Sequence, residues 1–135
     1  MKIKDIMVKK FFTLDENELL LEAKKVFDKG KVHHILITKN DVLIGIISKA
    51  DYLKVIQLIA KDSPRQDLIN ERLLTSVLCS EVMHTDLVTL DANEDLTTAL
   101  DIFLKNEIHC LPIIEDGNAV GVLTPIDLLR YYTQK

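Results

Sequence analysis

The chain repeats itself, and that limits what it can fold into more than any other feature. Slid along itself by 76 positions, 5–56 falls on 81–132 without a gap, and 15 of those 52 pairs are identical. That is roughly four times what chance matching gives at ordinary composition. The identities include Met7/Met83, Asp15/Asp91, Leu20/Leu96, Phe27/Phe103, His33/His109, Gly45/Gly121 and Asp51/Asp127. Whatever architecture forms must therefore be built twice from one pattern. The organisation read from this is a first repeat over 1–56, a connector over 57–80 and a second repeat over 81–135.

Each repeat reads as strand, helix, strand, strand, helix. A short extended piece surrounds Phe12-Thr13 and Val88-Thr89. Asp15 and Glu18, like Asp91 and Glu94, have the spacing of a capping box and are expected to start the first helix. Leu20, Ala23 and Phe27, and Leu96, Ala99 and Phe103, then recur at helical spacing. Two strand-like apolar runs follow in each repeat, at 34–38 and 43–47 and at 110–114 and 119–123. Asn40-Asp41 and Asp116-Gly117-Asn118 supply the turns between them. Second helices are expected over about 49–60 and 125–132. The connector has a break at Pro64 and apolar spacing (Leu68, Ile69, Leu73, Leu74, Val77) that predicts a short helix between Arg65 and Leu78. A unit of about 50 residues has difficulty burying enough surface alone. The expected fold is therefore mixed α/β (α+β): two pseudo-symmetric β-α-β-β-α repeats packed sheet to sheet around a shared core.

Composition removes several classes of function. Seventeen basic against 21 acidic residues give a net charge of −4, and aromatics make up 5% with no tryptophan. A basic nucleic-acid binder or a base-stacking surface is not expected. Two cysteines, Cys79 and Cys110, cannot form a disulfide framework and fit a reducing cytoplasm. No apolar run approaches the ~20 residues of a membrane helix, and the N-terminal segment mixes charges into its apolar positions. Lys9-Lys10 and Lys24-Lys25 read as solvated surface. No nucleophile elbow, phosphate loop or dinucleotide fingerprint occurs, so an enzyme is not expected.

The most specific segments are Gly45-Ile46-Ile47-Ser48-Lys49-Ala50-Asp51 and Gly121-Val122-Leu123-Thr124-Pro125-Ile126-Asp127. They are joined by the Asp5-Ile6-Met7 and Glu81-Val82-Met83 starts and by Val32-His33-His34-Ile35 and Ile108-His109-Cys110-Leu111. With these residues in register twice, almost the whole chain resembles a tandem pair of cystathionine-β-synthase (CBS) domains, a Bateman module. The resemblance implies a stand-alone regulatory module sensing an adenosine-type ligand, such as AMP, ADP, ATP or S-adenosylmethionine, in clefts between the two repeats. The signal would pass through conformational or oligomeric change. It further implies a homodimer, an unidentified effector protein, and no required cofactor. The whole length is expected to be taken up by the sensing scaffold.

Chemistry gives that motif a rationale. Gly45 and Gly121 in strands let a ligand or another backbone come close. Ser48 and Thr124 stand where a strand turns into a helix, whose free N–H groups favour an anion. The carboxylates of Asp51 and Asp127, one turn on, suit the adjacent hydroxyls of a ribose, which is the role the resemblance assigns them. Thr13 and Thr89 are placed at the ligand by the same resemblance, as are His33 and His109, which in some family members meet nucleotide phosphate. His34 and Cys110 stand where such members often carry arginine, which weakens the grip expected on a polyphosphate. Lys49, Lys54 and Arg130 are the nearest sources of positive charge, and Lys49 is matched by Pro125, so the two clefts are not equivalent.

Other readings stay open from the residues themselves. Ser48-x-x-Asp51 and Thr124-Pro125-x-Asp127 are also plain helix caps. His33 and His109 also fit strand-end residues satisfied by backbone. A zinc site from His33-His34 and His109-Cys110 is disfavoured, because adjacent strand residues point to opposite faces. His84 lies outside the repeat identities and reads as surface. The alternative to ligand sensing is a ligand-free interaction or dimerisation module, or an accessory protein resembling acetoin-utilisation components.

Overall fold

The structure is a computed structural model that describes residues 1–60 and 66–134. The expected Pro64 break lies outside the described residues. The elements run β1 (Phe12–Asp15), α1 (Leu20–Lys29), β2 (His34–Lys39), β3 (Val42–Ser48), α2 (Lys49–Ala60), α3 (Gln66–Ser76), α4 (Cys79–Val82), β4 (Leu90–Asp91), α5 (Leu96–Leu104), β5 (Leu111–Glu115), β6 (Asn118–Leu123) and α6 (Pro125–Thr133). The strand-helix-strand-strand-helix order thus forms twice, and the connector contributes α3. Two three-stranded sheets result, ordered β1-β2-β3 and β4-β5-β6.

The compact units do not follow the repeat boundaries. One unit is Phe12–Leu87; the other joins Met1–Phe11 to Val88–Lys135. Each therefore takes the leading segment of the other repeat, and the repeat register carries over to the contacts made. In the first unit Leu78 bridges Leu19 and His84 bridges Ile46; in the second, at positions 76 lower or higher, Lys2 bridges Asp95 and Val8 bridges Val122. The bridges to β3 and β6 are reciprocal. His84 N–H donates to the Ile46 carbonyl at 2.9 Å and Ile46 N–H to the His84 carbonyl at 3.1 Å. Val8 and Val122 exchange bonds of 2.8 and 3.0 Å. Cys79 and its counterpart Ile3 are both fully buried at the start of these segments.

Within the Phe12–Leu87 unit, β1 lies parallel to β2, and β2 antiparallel to β3. Ile35, Leu36 and Ile37 bury the middle of the central strand, as a strand flanked on both sides requires. Its core gathers Leu20, Ala23 and Phe27 from α1, Ile35, Ile37 and Ile47 from the sheet, Tyr52 from α2 and Leu74 from α3. Phe27 and Tyr52 meet with ring centroids 5.3 Å apart, and burial pushes the Tyr52 hydroxyl up to about 12. The other unit repeats this with β4 parallel to β5 and β5 antiparallel to β6. Its core is Leu96, Ala99, Leu111, Ile113, Leu123 and Leu128, closed by Ile3.

Both hairpins turn on two residues with positive φ, Asn40-Asp41 (50° and 66°) and Asp116-Gly117 (52° and 82°). Such turns match the twist of the flanking strands, and Asn, Asp and Gly tolerate them best. The register then shifts between Ile37 and Thr38, and at the equivalent Ile113 and Ile114. This bulge leaves Ile37 opposite Gly45 and Ile113 opposite Gly121.

One expectation is corrected. Asp15 and Asp91 do not cap the first helices. Their carboxylates accept from Asn17 and Asn93 N–H at 3.0 and 2.8 Å, closing a turn after the strand. The helices start later, after Leu19 and Asp95. The Asp side chain bonds its backbone two residues on just as readily as it caps. In the second repeat Asp95 does the capping, accepting from Thr97 N–H at 3.1 Å, which with Thr97 hydroxyl and the amino terminus holds its carboxyl down to about 2.

The glycines opposite the bulges are filled from the leading segments. A methyl group on Gly45 would fall 2.7 Å from Cγ and 3.0 Å from Cβ of Met83; on Gly121 it would fall 2.9 Å from Met7 Cγ and 3.1 Å from the Val8 carbonyl. Gly121→Ala should therefore destabilise the protein by about 1–3 kcal/mol, the scale of overpacking. Gly45→Ala, which meets only a side chain, should cost less, and Met83→Ala should recover part of that loss. Urea denaturation checks this; an unmoved midpoint for Gly121→Ala would refute the packing.

Candidate functional site

The two motif segments form the same local feature, a corner where the last strand of each sheet passes into a helix. At the first corner Ser48 ends β3 and Asp51 sits in the first turn of α2. The Asp51 N–H donates to Ser48 Oγ at 3.0 Å, and Ser48 Oγ donates to Asp51 Oδ2 at 2.7 Å. At the second corner Asp127 N–H donates to Thr124 Oγ1 at 3.3 Å. Thr124 N–H and Oγ1 each donate to Asp127 Oδ2 at 2.9 Å. That is a closed capping box with Pro125 at the favoured first helical position. Ser48 still belongs to β3, registered against His34, whereas Thr124 lies beyond β6. Ser48 accordingly makes no backbone bond to its aspartate.

The second donor to Asp51 comes from elsewhere. His84 Nε2 lies 2.6 Å from Asp51 Oδ2. An ionised carboxylate only accepts, so the ring N–H donates. His84 is missed by motif reasoning because its counterpart is Val8; only the repeat register, which sets 8 against 84 beside the motif strand, points to it. Burial alone would raise the Asp51 carboxyl. Hydrogen bonds from Ser48 and His84 and the charges of His84 and Lys54 outweigh it and leave the group below the usual carboxylate value. The Asp127 side chain is 11% exposed, and Arg130 stands 3.9 Å from its Oδ1. In both corners Oδ2 is occupied, and Oδ1 accepts no hydrogen bond among the described residues.

The remaining expected residues are scattered around these corners. His33 is exposed just before β2, and its carbonyl accepts from Lys49 N–H at 2.8 Å, tying it to the first corner by backbone. His109 is exposed before β5 and is followed by the buried Cys110. Burial, with Asp127's charge, pushes that thiol up to about 12, so it stays protonated and unreactive. Thr13 lies exposed on β1 opposite Leu36, and Thr89 lies exposed just before β4. Gly45 and Gly121 are buried, and the space over them is taken by Met83 and by Met7 with the Val8 carbonyl rather than left for a ligand. Among the described residues no group of three or more His, Cys, Asp or Glu could hold a metal ion. No helix among them is long and apolar enough to cross a membrane.

Comparison with known proteins agrees with the duplication. The CBS domain family matches the chain twice, at 3–58 and 79–134, and the chain belongs to that family as a CBS pair. Uncharacterized protein MJ1426 of Methanocaldococcus jannaschii is 32% identical over 96% of this chain and 90% of its own length. Two further curated relatives are longer, the chain spanning 40% of one and 14% of the other. A protein of Vibrio cholerae provisionally assigned to acetoin utilization (AcuB) superposes with a TM-score of 0.78 at 27% identity, over 99% of this chain and 91% of that one. The CBS domain pair of protein MJ0100, solved in complex with 5′-methylthioadenosine and S-adenosyl-L-methionine, gives 0.74 at 24% identity over 99% and 97%.

The lowered Asp51 carboxyl makes a signed prediction. A group whose folded value is depressed contributes stability that is complete above its unfolded value, about 4, and lost as pH falls through the folded one. Asp51→Asn should lower stability at neutral pH by about 1 kcal/mol, the usual scale of a lost cap. The gap to wild type should close as pH is lowered below about 4. Chemical denaturation across pH measures it, and a gap that persists unchanged into acid would count against the ionised network.

Proposed function

We propose that this protein is a regulatory ligand-sensing module that takes an adenosine-type ligand, AMP, ADP, ATP or S-adenosylmethionine, at its strand-to-helix corners. The observation that carries the reading is the aspartate in each corner. Its own cap holds Oδ2 and fixes the carboxylate, while Oδ1 accepts no hydrogen bond among the described residues, Arg130 standing 3.9 Å from it at the second corner. A fixed carboxylate oxygen at a helix start suits a ribose hydroxyl. Family membership supports the class of function, and a neighbour of the same fold holds two adenosine-containing ligands. Lys49 at the first turn of α2, with Lys54 near Asp51, gives the first corner more positive charge than the second, where Pro125 and Arg130 stand.

Sensing is read as differential affinity: the ligand favours whichever arrangement holds it more tightly. Self-association would supply such arrangements. Ile126, Leu129 and Tyr132 on α6 are 52%, 60% and 51% exposed, an apolar stripe at helical spacing that supports a homodimer. The buried, unpaired Cys79 and Cys110 fit a reducing cytoplasm. An effector protein would read the output, and no catalytic role is assigned. The same stripe supports a second reading, an interaction module without a small ligand, and the likeness to AcuB supports an accessory metabolic role of that kind.

A thermal-shift panel of adenine nucleotides, S-adenosylmethionine, NAD and cyclic dinucleotides separates these readings. We expect at least one adenosine compound to raise Tm, and Asp51→Ala combined with Asp127→Ala to abolish the shift. A shift that survives both substitutions would sink the site assignment. No shift with any compound would favour the interaction module.

A further inference from the structure

The two corners hold their aspartates by different means. Asp127 Oδ2 is held by donors from Thr124 alone, the backbone N–H and the hydroxyl. Neither titrates near neutrality, and the backbone N–H cannot leave without unwinding the helix start. Asp51 Oδ2 is held by Ser48 Oγ and by His84, whose ring arrives from 33 residues away and is 63% exposed. An exposed side chain can swing off by a rotamer change, and an imidazole is charged only when protonated. The leading segment itself stays in place through its two backbone bonds to Ile46. Only the ring has to move.

We propose that His84 is a positioning residue that latches Asp51, so that a ligand's vicinal diol must compete with it for the carboxylate. This rests on the adenosine reading above. A diol gripped by both carboxylate oxygens needs Oδ2 as well as Oδ1, and Oδ2 is released only when His84 lets go. The protonated ring holds the carboxylate by charge as well as by hydrogen bond; the neutral ring holds it by hydrogen bond alone. Ligand affinity at the Asp51 corner therefore rises with pH, and at the Asp127 corner, where Val8 replaces histidine, it does not. The charged group facing His84 is Asp51 on α2, whose carboxylate also feels Lys54 of the same helix. Strand β3 contributes none, and Asp86 is the nearest on its own segment.

The test uses the full chain with Asp127→Asn, so that only the first corner reports, carrying in addition His84, His84→Val or His84→Gln. Without any ligand, the Asp51 side-chain carboxyl is followed by carbon NMR against pH. Its acid midpoint should move up in His84→Val and return part-way in His84→Gln, whose amide donates a hydrogen bond without charge. Identical midpoints in all three would overturn the latch. Adenosine, which carries the diol and no ionised tail, is then titrated calorimetrically at about pH 6 and pH 8. The His84 protein should bind more tightly at the higher pH, by up to about fivefold, the scale of an exposed ion pair. His84→Val should bind equally at both and at least as tightly as the His84 protein at pH 8. A pH dependence kept by His84→Val, or binding lost in it at both pH values, would overturn the competition. Adenosine failing to bind any variant would overturn the adenosine reading and the competition with it, while the carboxyl titration alone would still decide the latch.

Discussion

A leading segment laid on the last strand of each sheet is the contact on which the rest of both units depends. It is a single reciprocal pair of backbone hydrogen bonds, Val8 with Val122 and His84 with Ile46. Beside it a methionine, Met7 or Met83, fills the face of a glycine. The β-bulge one step earlier in each hairpin aligns that glycine with the central strand. A larger residue there would displace the methionine and, at Gly121, press on the Val8 carbonyl. The buried Ile3 and Cys79 then anchor the segment's other end. Each corner aspartate follows that glycine by six residues, so the docked strand sets where the carboxylate stands.

The same contact makes the corners unlike. A docked segment brings whatever side chain it carries to the rim of the adjoining corner. At position 8 that is valine, which offers nothing to a carboxylate. At position 84 it is histidine, which supplies the hydrogen bond that Ser48 withholds because it remains in the strand. One residue of difference in strand length, Ser48 inside β3 and Thr124 outside β6, thus decides whether an aspartate is closed by its own backbone or completed by a distant ring. Duplicated architecture leaves room for such divergence, because each copy needs only a satisfied carboxylate and not a particular donor.

Much of the fold is legible in the residues. Leu20, Ala23 and Phe27 mark a helix by spacing, Ile35, Leu36 and Ile37 mark a buried strand, and Asn40-Asp41 and Asp116-Gly117 mark tight turns, because each of these signals is local. The first helices start later than the spacing predicts because an aspartate followed by a polar pair satisfies a turn and a cap equally well, and only the path of the chain chooses between them. The caps at Ser48 and Thr124 are legible for the same local reason that the first helix starts were not: a strand pattern runs into a helical one with no polar turn between them.

By itself the sequence determined the twofold pattern, the order of elements, the family motif and the pairing of Ser48 with Asp51 and Thr124 with Asp127, since all of these lie within a few residues or follow from one fixed offset. Only the tertiary structure decided which repeat each leading segment serves, what fills the space at Gly45 and Gly121, and that His84 reaches Asp51. Those depend on contacts between residues 33 to more than 100 positions apart. A backbone bridge can form to either copy of a repeated strand, and the methionine and glycine it brings together are repeated too, so no local pattern distinguishes the two.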